Sequence, residues 1–174
     1  MTSSEKLLII TASNGENLKL ANRFLQSCKE KQINGTLMDL TTLDLPLYNP
    51  RTHAETGVPT LISEINSKIS GFPRWIICAP EYNGSIPPIL TNLIAWLSVE
   101  GDDFRILFNG RPIAMASFSG GGGMELLLSL RIQLTHLGAQ VVGRQLMSNH
   151  QKAAKDEAIS DLIDRLLQMN RLKV

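Results

Sequence analysis

Trp75-Ile76-Ile77-Cys78-Ala79-Pro80-Glu81-Tyr82-Asn83-Gly84-Ser85-Ile86-Pro87-Pro88 is the stretch on which the fold turns. Its first five residues are apolar without alternation, which describes a strand buried on both faces and stopped by Pro80. A dense polar turn follows. Pro87-Pro88 then opens a helix, where a missing N–H is harmless. Along that helix Ile89, Leu93 and Leu97 form one row, with Leu90 and Ile94 beside it. A doubly buried strand leading into an amphipathic helix is the unit of a parallel sheet.

The same unit recurs on either side. Leu7-Leu8-Ile9-Ile10 is a short apolar run that ends at Thr11-Ala12-Ser13-Asn14-Gly15, and Ala21, Phe24, Leu25 and Cys28 then follow at helical spacing. Asn34-Gly35 reads as a turn, and residues 36–40 as a second strand. Residues 41–60, with Pro46, Pro50 and Pro59, read as a long irregular connection that is functional or covers a partner. Leu61, Ile65 and Ile69, with Ile62, mark a helix ended by Gly71-Phe72-Pro73. Asn109-Gly110 is a turn, residues 113–117 a fourth strand, residues 124–137 a strongly apolar helix, residues 139–142 a fifth strand, and residues 159–167 a last amphipathic helix. The alternation βαβαβαβαβα predicts a single domain over residues 1–174, a three-layer α/β/α protein with a five-stranded parallel sheet of order 2-1-3-4-5. Ligands of such sheets sit at the carboxyl ends of the strands near the switch point, here strands 1 and 3.

Composition narrows the function. The chain has 174 residues, 17 Lys+Arg against 16 Asp+Glu, and 43% hydrophobic residues, so it is globular and offers no basic excess for nucleic acid. Cys28 and Cys78 make neither a disulfide framework nor a zinc spacing, and His53, His136 and His150 have no metal-ligand spacing. No run is long enough for a membrane span. A reduced, cytoplasmic protein is expected. A Walker lysine and a GxSxG elbow are absent, Glu125 stands where a GxGxxG run from Gly120 needs its last glycine, and strand 3 ends without a phospho-acceptor carboxylate.

Three loops remain. Residues 11–17 lead into a helix whose unpaired N–H groups can wrap a phosphate, although no Lys or Arg lies there and Glu16 has the wrong sign; a plain helix cap fits equally well. Residues 80–87 offer an aromatic ring and backbone groups on a Pro-stiffened turn, suited to a flat ligand. Residues 117–123 contain four consecutive glycines that permit close approach. The apolar excess on the helices at residues 89–97 and 124–137 fits either deep burial or a symmetric interface.

Together these loops resemble the NAD(P)H-dependent FMN reductase family, a branch of the flavodoxin-like fold. The match runs through Pro80-Glu81-Tyr82-Asn83-Gly84-Ser85-Ile86-Pro87, Leu90, Asn92 and Trp96-Leu97-Ser98, where that family shows PEYNGSIPxxLKNAIDWLS. Leu45-Pro46-Leu47-Tyr48, Gly110-Arg111-Pro112 and Leu137-Gly138-Ala139-Gln140-Val141-Val142 are further points of similarity. The first loop departs from the family's GSxRxxSxNxxLA, losing its Arg, and is spaced instead like the flavodoxin STGNT loop. Thr91 replaces Lys and Ala95 replaces Asp.

The resemblance implies a phosphate set of Ser13, Asn14, Gly15, Glu16 (backbone) and Asn17, and a flavin set of Pro80, Glu81, Tyr82, Asn83, Gly84, Ser117, Ser119, Gly120 and Gly121. It implies hydride transfer from NAD(P)H through FMN to a small acceptor (flavin, quinone, azo compound or metal oxyanion), no catalytic side chain, and a homodimer or homotetramer. Arg51 and Arg111 are the candidates for reading the 2′-phosphate of NADPH. Two other readings stay open. One is a flavin-binding electron carrier, disfavoured by the near-neutral charge. The other is a relative with weak or lost FMN binding that acts as an interaction protein.

Overall fold

The computed structural model describes residues 5–173. Strands β1 (Lys6–Thr11), β2 (Asn34–Asp39), β3 (Arg74–Cys78), β4 (Pro112–Phe118), β5 (Gln140–Val141) and β6 (Leu146–Ser148) form one parallel sheet of order β2-β1-β3-β4-β5, with β6 also pairing β4. Helices α1 (Glu16–Glu30) and α6 (Asp156–Leu167) cover one face. Helices α3 (Thr60–Ser70), α4 (Pro88–Ser98) and α5 (Met124–His136) cover the other, and a short helix α2 (Pro50–Thr56) precedes α3.

The unbroken apolar runs follow from this double cover. Leu8, Ile10, Trp75, Ile77, Ile113 and Met115 point into the layer of α3, α4 and α5. Leu7, Ile9, Ile76, Cys78, Ala114 and Ala116, one residue out of phase, point into the layer of α1 and α6. Successive side chains alternate faces, so a strand covered twice has no polar position to spare.

Three local readings are corrected. The turn before β2 lies at Gln32, whose φ is 58°, and Asn34-Gly35 already belong to the strand. Gly35 is there for packing, since a Cβ would stand 3.0 Å from that of Cys28. Residues 41–60 are not wholly irregular. They begin with a 3-10 turn at Leu40–Thr42 capped by Asp39, and contain α2, capped by Asn49 and started by Pro50. No α2 residue is buried, so no apolar periodicity advertised it. The fifth edge is also split in two. β5 pairs the first half of β4 and β6 the second, because the chain leaves the sheet at residues 143–145. Arg144-Gln145 before Leu146 hide so short a strand in the sequence.

At the amino ends of the strands Arg74 holds the C-terminal segment. Its Nε donates to the Met169 carbonyl (2.8 Å), its Nη2 to the Leu167 carbonyl (3.2 Å) and to Asn170 (3.1 Å), and its Nη1 pairs with Glu5. Arg74→Ala removes a buried guanidinium and the partner of two half-buried carbonyls, those of Leu167 and Met169. It is expected to lower stability by about 2–3 kcal/mol in urea unfolding and to expose residues 168–173 to early proteolysis.

Candidate functional site

The chain reverses direction across the sheet between β1 and β3. There Thr11 lies beside Cys78, and the Ala12 N–H reaches the Cys78 carbonyl at 3.0 Å. The loop after β1 is pulled tight by Thr11, whose hydroxyl donates to the Ser13 carbonyl at 2.9 Å. Gly15 is the N-cap of α1 and gives no side-chain cap. The first α1 N–H groups therefore face outward with their partial positive charge. Ser13 is half-buried and Asn14 and Gly15 are exposed. The Glu16 carboxylate turns along the helix to Lys19 (2.6 Å). Asn17 differs from its neighbours. It is buried, and its amide is spent on β4: Nδ2 donates to the Phe118 carbonyl and Oδ1 accepts from the Phe118 N–H, both at 2.8 Å. Only its backbone remains for a ligand.

The loop after β3 is a two-residue hairpin. Tyr82 and Ser85 exchange backbone hydrogen bonds of 3.1 and 3.0 Å, and Asn83 and Gly84 turn the chain with φ of 51° and 68°. Positive φ at both positions is the type I′ pattern, which favours Asn-Gly. Tyr82 is half exposed, and with Glu81, Asn83, Ile86 and Pro88 it lines a shallow cleft of about 480 Å³. The Glu81 carboxylate points into the fold and accepts from the Leu126 N–H (3.3 Å) at the start of α5. A negative charge is favourable at that helix end.

The loop after β4 is tied to both others. Ser117 is buried and donates to the Ala79 carbonyl at 2.8 Å. Ser148 donates to the Ser117 carbonyl (2.9 Å), and its own carbonyl takes the Ser119 N–H (3.0 Å). The Gly122 N–H then closes a turn on Ser119, which leaves Gly120 and Gly121 at the exposed apex. Gly121 comes within 3.5 Å of Glu81, measured from the position its Cβ would take. Ser148 escapes sequence reading because it lies on the undetected β6.

All three loops thus meet at one end of the sheet. Their donors are peptide N–H groups, hydroxyls and amides, and none of them contains a Lys or Arg. Arg111 does not belong there. It precedes β4 at the opposite end, is fully buried over the Trp75 ring (4.2 Å), and bonds to the Leu107 and Phe72 carbonyls. Burial lowers its pKa to about 9. Arg51 is exposed on α2. Burial pushes the Cys28 thiol up to about 11 and raises that of Cys78, so both stay protonated and unreactive at neutral pH.

A sheet of this order with a switch point between β1 and β3 defines a flavodoxin-like α/β protein. The family model for NADPH-dependent FMN reductases matches residues 6–153. The chain belongs to that family. It is 30% identical over 125 residues to a quinone reductase of Escherichia coli (strain K12), covering 70% of this chain and 65% of that protein, just under two thirds of its length. It is 26% identical over 173 residues to a probable NADPH:quinone oxidoreductase 2 of Oryza sativa subsp. japonica, covering 94% of this chain and 83% of that one. Among solved structures, a flavoenzyme NAD(P)H:(acceptor) oxidoreductase of Paracoccus denitrificans superposes with a TM-score of 0.73 at 19% identity, covering 95% of this chain and 99% of that one.

The glycines of the third loop are not equivalent. Gly123 has φ +80°, and a Cβ would lie 2.5 Å from the Ser117 hydroxyl, whereas Gly120 has nothing within 4 Å. Gly123→Ala is expected to cost about 2–3 kcal/mol in thermal or urea unfolding. Gly120→Ala should stay within about 0.5 kcal/mol of the parent.

Proposed function

We propose that the chain is an FMN-dependent NAD(P)H oxidoreductase passing electrons to a small acceptor, a quinone foremost. One observation carries this reading: three loops, hydrogen-bonded to one another at the switch point, present an open set of backbone donors. The donor set suits FMN. A phosphate needs several N–H groups at a helix start and no obligatory cation, and a Cβ at Gly15, Gly84 or Gly120 would meet nothing within 4 Å. FMN, when bound, supplies the two-electron chemistry between nicotinamide donor and acceptor.

The protein binds and orients. The N–H groups of Gly15, Glu16 and Asn17, with Ser13 and Asn14, would hold the phosphate. Pro80, Glu81, Tyr82, Asn83 and Gly84 would hold one side of the ring system, with the Tyr82 ring as its apolar wall. Ser117, Ser119, Gly120 and Gly121 would border the other side. Within these sets Asn17, Glu81 and Ser117 act largely by fixing the loops. No side chain is assigned a proton-transfer role. The free thiols fit a reducing cytoplasm, and no described helix is long and apolar enough to cross a membrane.

The test is a titration with FMN, followed by quenching of flavin fluorescence, and then NADPH oxidation with a benzoquinone acceptor. One FMN per chain and FMN-dependent NADPH consumption are expected. Binding without NADPH oxidation would indicate an electron carrier, and no uptake at high micromolar FMN would overturn the reading.

Assembly into a homodimer, or a tetramer built from it, is part of the same proposal. In α4 the apolar excess is buried, but in α5 Met124, Leu128 and Ile132 lie on one outer face with 42%, 51% and 72% exposure, and Phe104 stacks near its end on His136. Such a row is the kind a symmetric interface covers. Light scattering should find at least two chains per particle, and Leu128→Lys with Ile132→Lys should give monomers.

A further inference from the structure

Arg111 is walled into the core and the three loops carry no cation, so the anionic half of a pyridine nucleotide needs another place to rest. Next to the third loop lies a cleft of about 400 Å³ between β6 and the start of α6. Gly122 forms one end, and Arg144, Lys152 and Lys155 line the rest, with no carboxylate among the lining residues. Arg144 is already paired with Asp161 (2.6 Å). Lys152 and Lys155 form no ion pair among the described residues. The backbone at Lys152 is held in advance: the Asn149 side chain accepts from the N–H groups of Gln151 (3.0 Å) and Lys152 (2.7 Å), and the Asn149 N–H reaches the Lys152 carbonyl (3.0 Å). The Ser148 bonds to Ser117 and Ser119 couple this turn to the glycine loop.

We propose that this cleft binds the phosphates of the nicotinamide donor's adenosine half, with Lys152 and Lys155 as the specificity-determining cations. The assignment rests on the oxidoreductase reading above, in which Gly120 and Gly121 border one side of the flavin ring, so that a donor reacting at that ring lies next to them. From there a nucleotide extending past Gly122 enters the cleft. Two unpaired ammonium groups in a cleft without acid favour a ligand bearing more than one negative charge.

Adenosine 2′,5′-bisphosphate carries the phosphates without the nicotinamide, so calorimetry with it does not depend on flavin turnover. The parent protein should bind it, more weakly as salt rises. Lys152→Ala/Lys155→Ala should weaken binding about tenfold or more, Lys152→Arg/Lys155→Arg should retain it, and KM for NADPH should rise with the loss. If AMP binding falls as far as bisphosphate binding, the lysines read the 5′ side. If only the bisphosphate is affected, they read the 2′-phosphate. Bisphosphate binding that is absent in the parent, or equal in parent and double Ala variant, would overturn the proposal. An FMN titration of the same samples keeps this result separate, because failure of the oxidoreductase reading shows there and not in the bisphosphate isotherm.

Discussion

The amide of Asn17 does for α1 what a neighbouring strand does for β4. It pairs with both the N–H and the carbonyl of Phe118, across 101 residues of sequence, at a point where the pairing of β4 is running out. Removing it would strand two backbone groups in a largely dry place, and each orphaned group costs about 1–3 kcal/mol. The start of α1, the end of β4 and the glycine loop hold their relative positions through this contact. Any ligand gripped by the first and third loops depends on it before it depends on any residue that touches the ligand.

The same economy runs through the site. Glu81, Ser117 and Ser148 spend their side chains on the protein, and the surface they leave is mostly peptide backbone. Backbone donors on tied loops are oriented before a ligand arrives, which reduces the ordering cost of binding. On the function proposed above, they would also make the loss of the first-loop Arg tolerable, since a helix start attracts an anion without a full cation. The Glu16 carboxylate is held along the helix by Lys19.

The sequence spoke clearly where burial is two-sided. Leu7-Leu8-Ile9-Ile10 and Trp75-Ile76-Ile77-Cys78 had to be central strands, and their alternation with helices gave the sheet order. Residues 80–87 were legible as a stiff polar turn, whereas the two-residue hairpin within it, with Asn83 and Gly84 at positive φ, came only with the structure. Elements held by few apolar contacts stayed hidden: α2 buries nothing, and β6 is three residues long. Asn34-Gly35 misled because the glycine answers to Cys28 on α1 and not to a turn. The three loops of the candidate site were legible, but what each side chain does within them was not. Whether Asn17 or Glu81 faces a ligand or the protein depends on partners 101 and 45 residues away, a distance at which local pattern carries no information. Arg111 shows the reverse error, a cation read as a ligand group that is spent on Trp75 and on backbone carbonyls.

The split fifth edge has a consequence for the life of the protein in a crowded solution. An outer strand with an uninterrupted row of unpaired N–H and C=O groups is a template for a foreign strand. Here the edge offers two residues, then a departure at Gly143-Arg144, then three residues next to Lys152 and Lys155. Neither piece is long enough to seed a ladder, and an intruding strand would have to cross the charged break between them. The interruption therefore guards the sheet against fibrillar growth from this side.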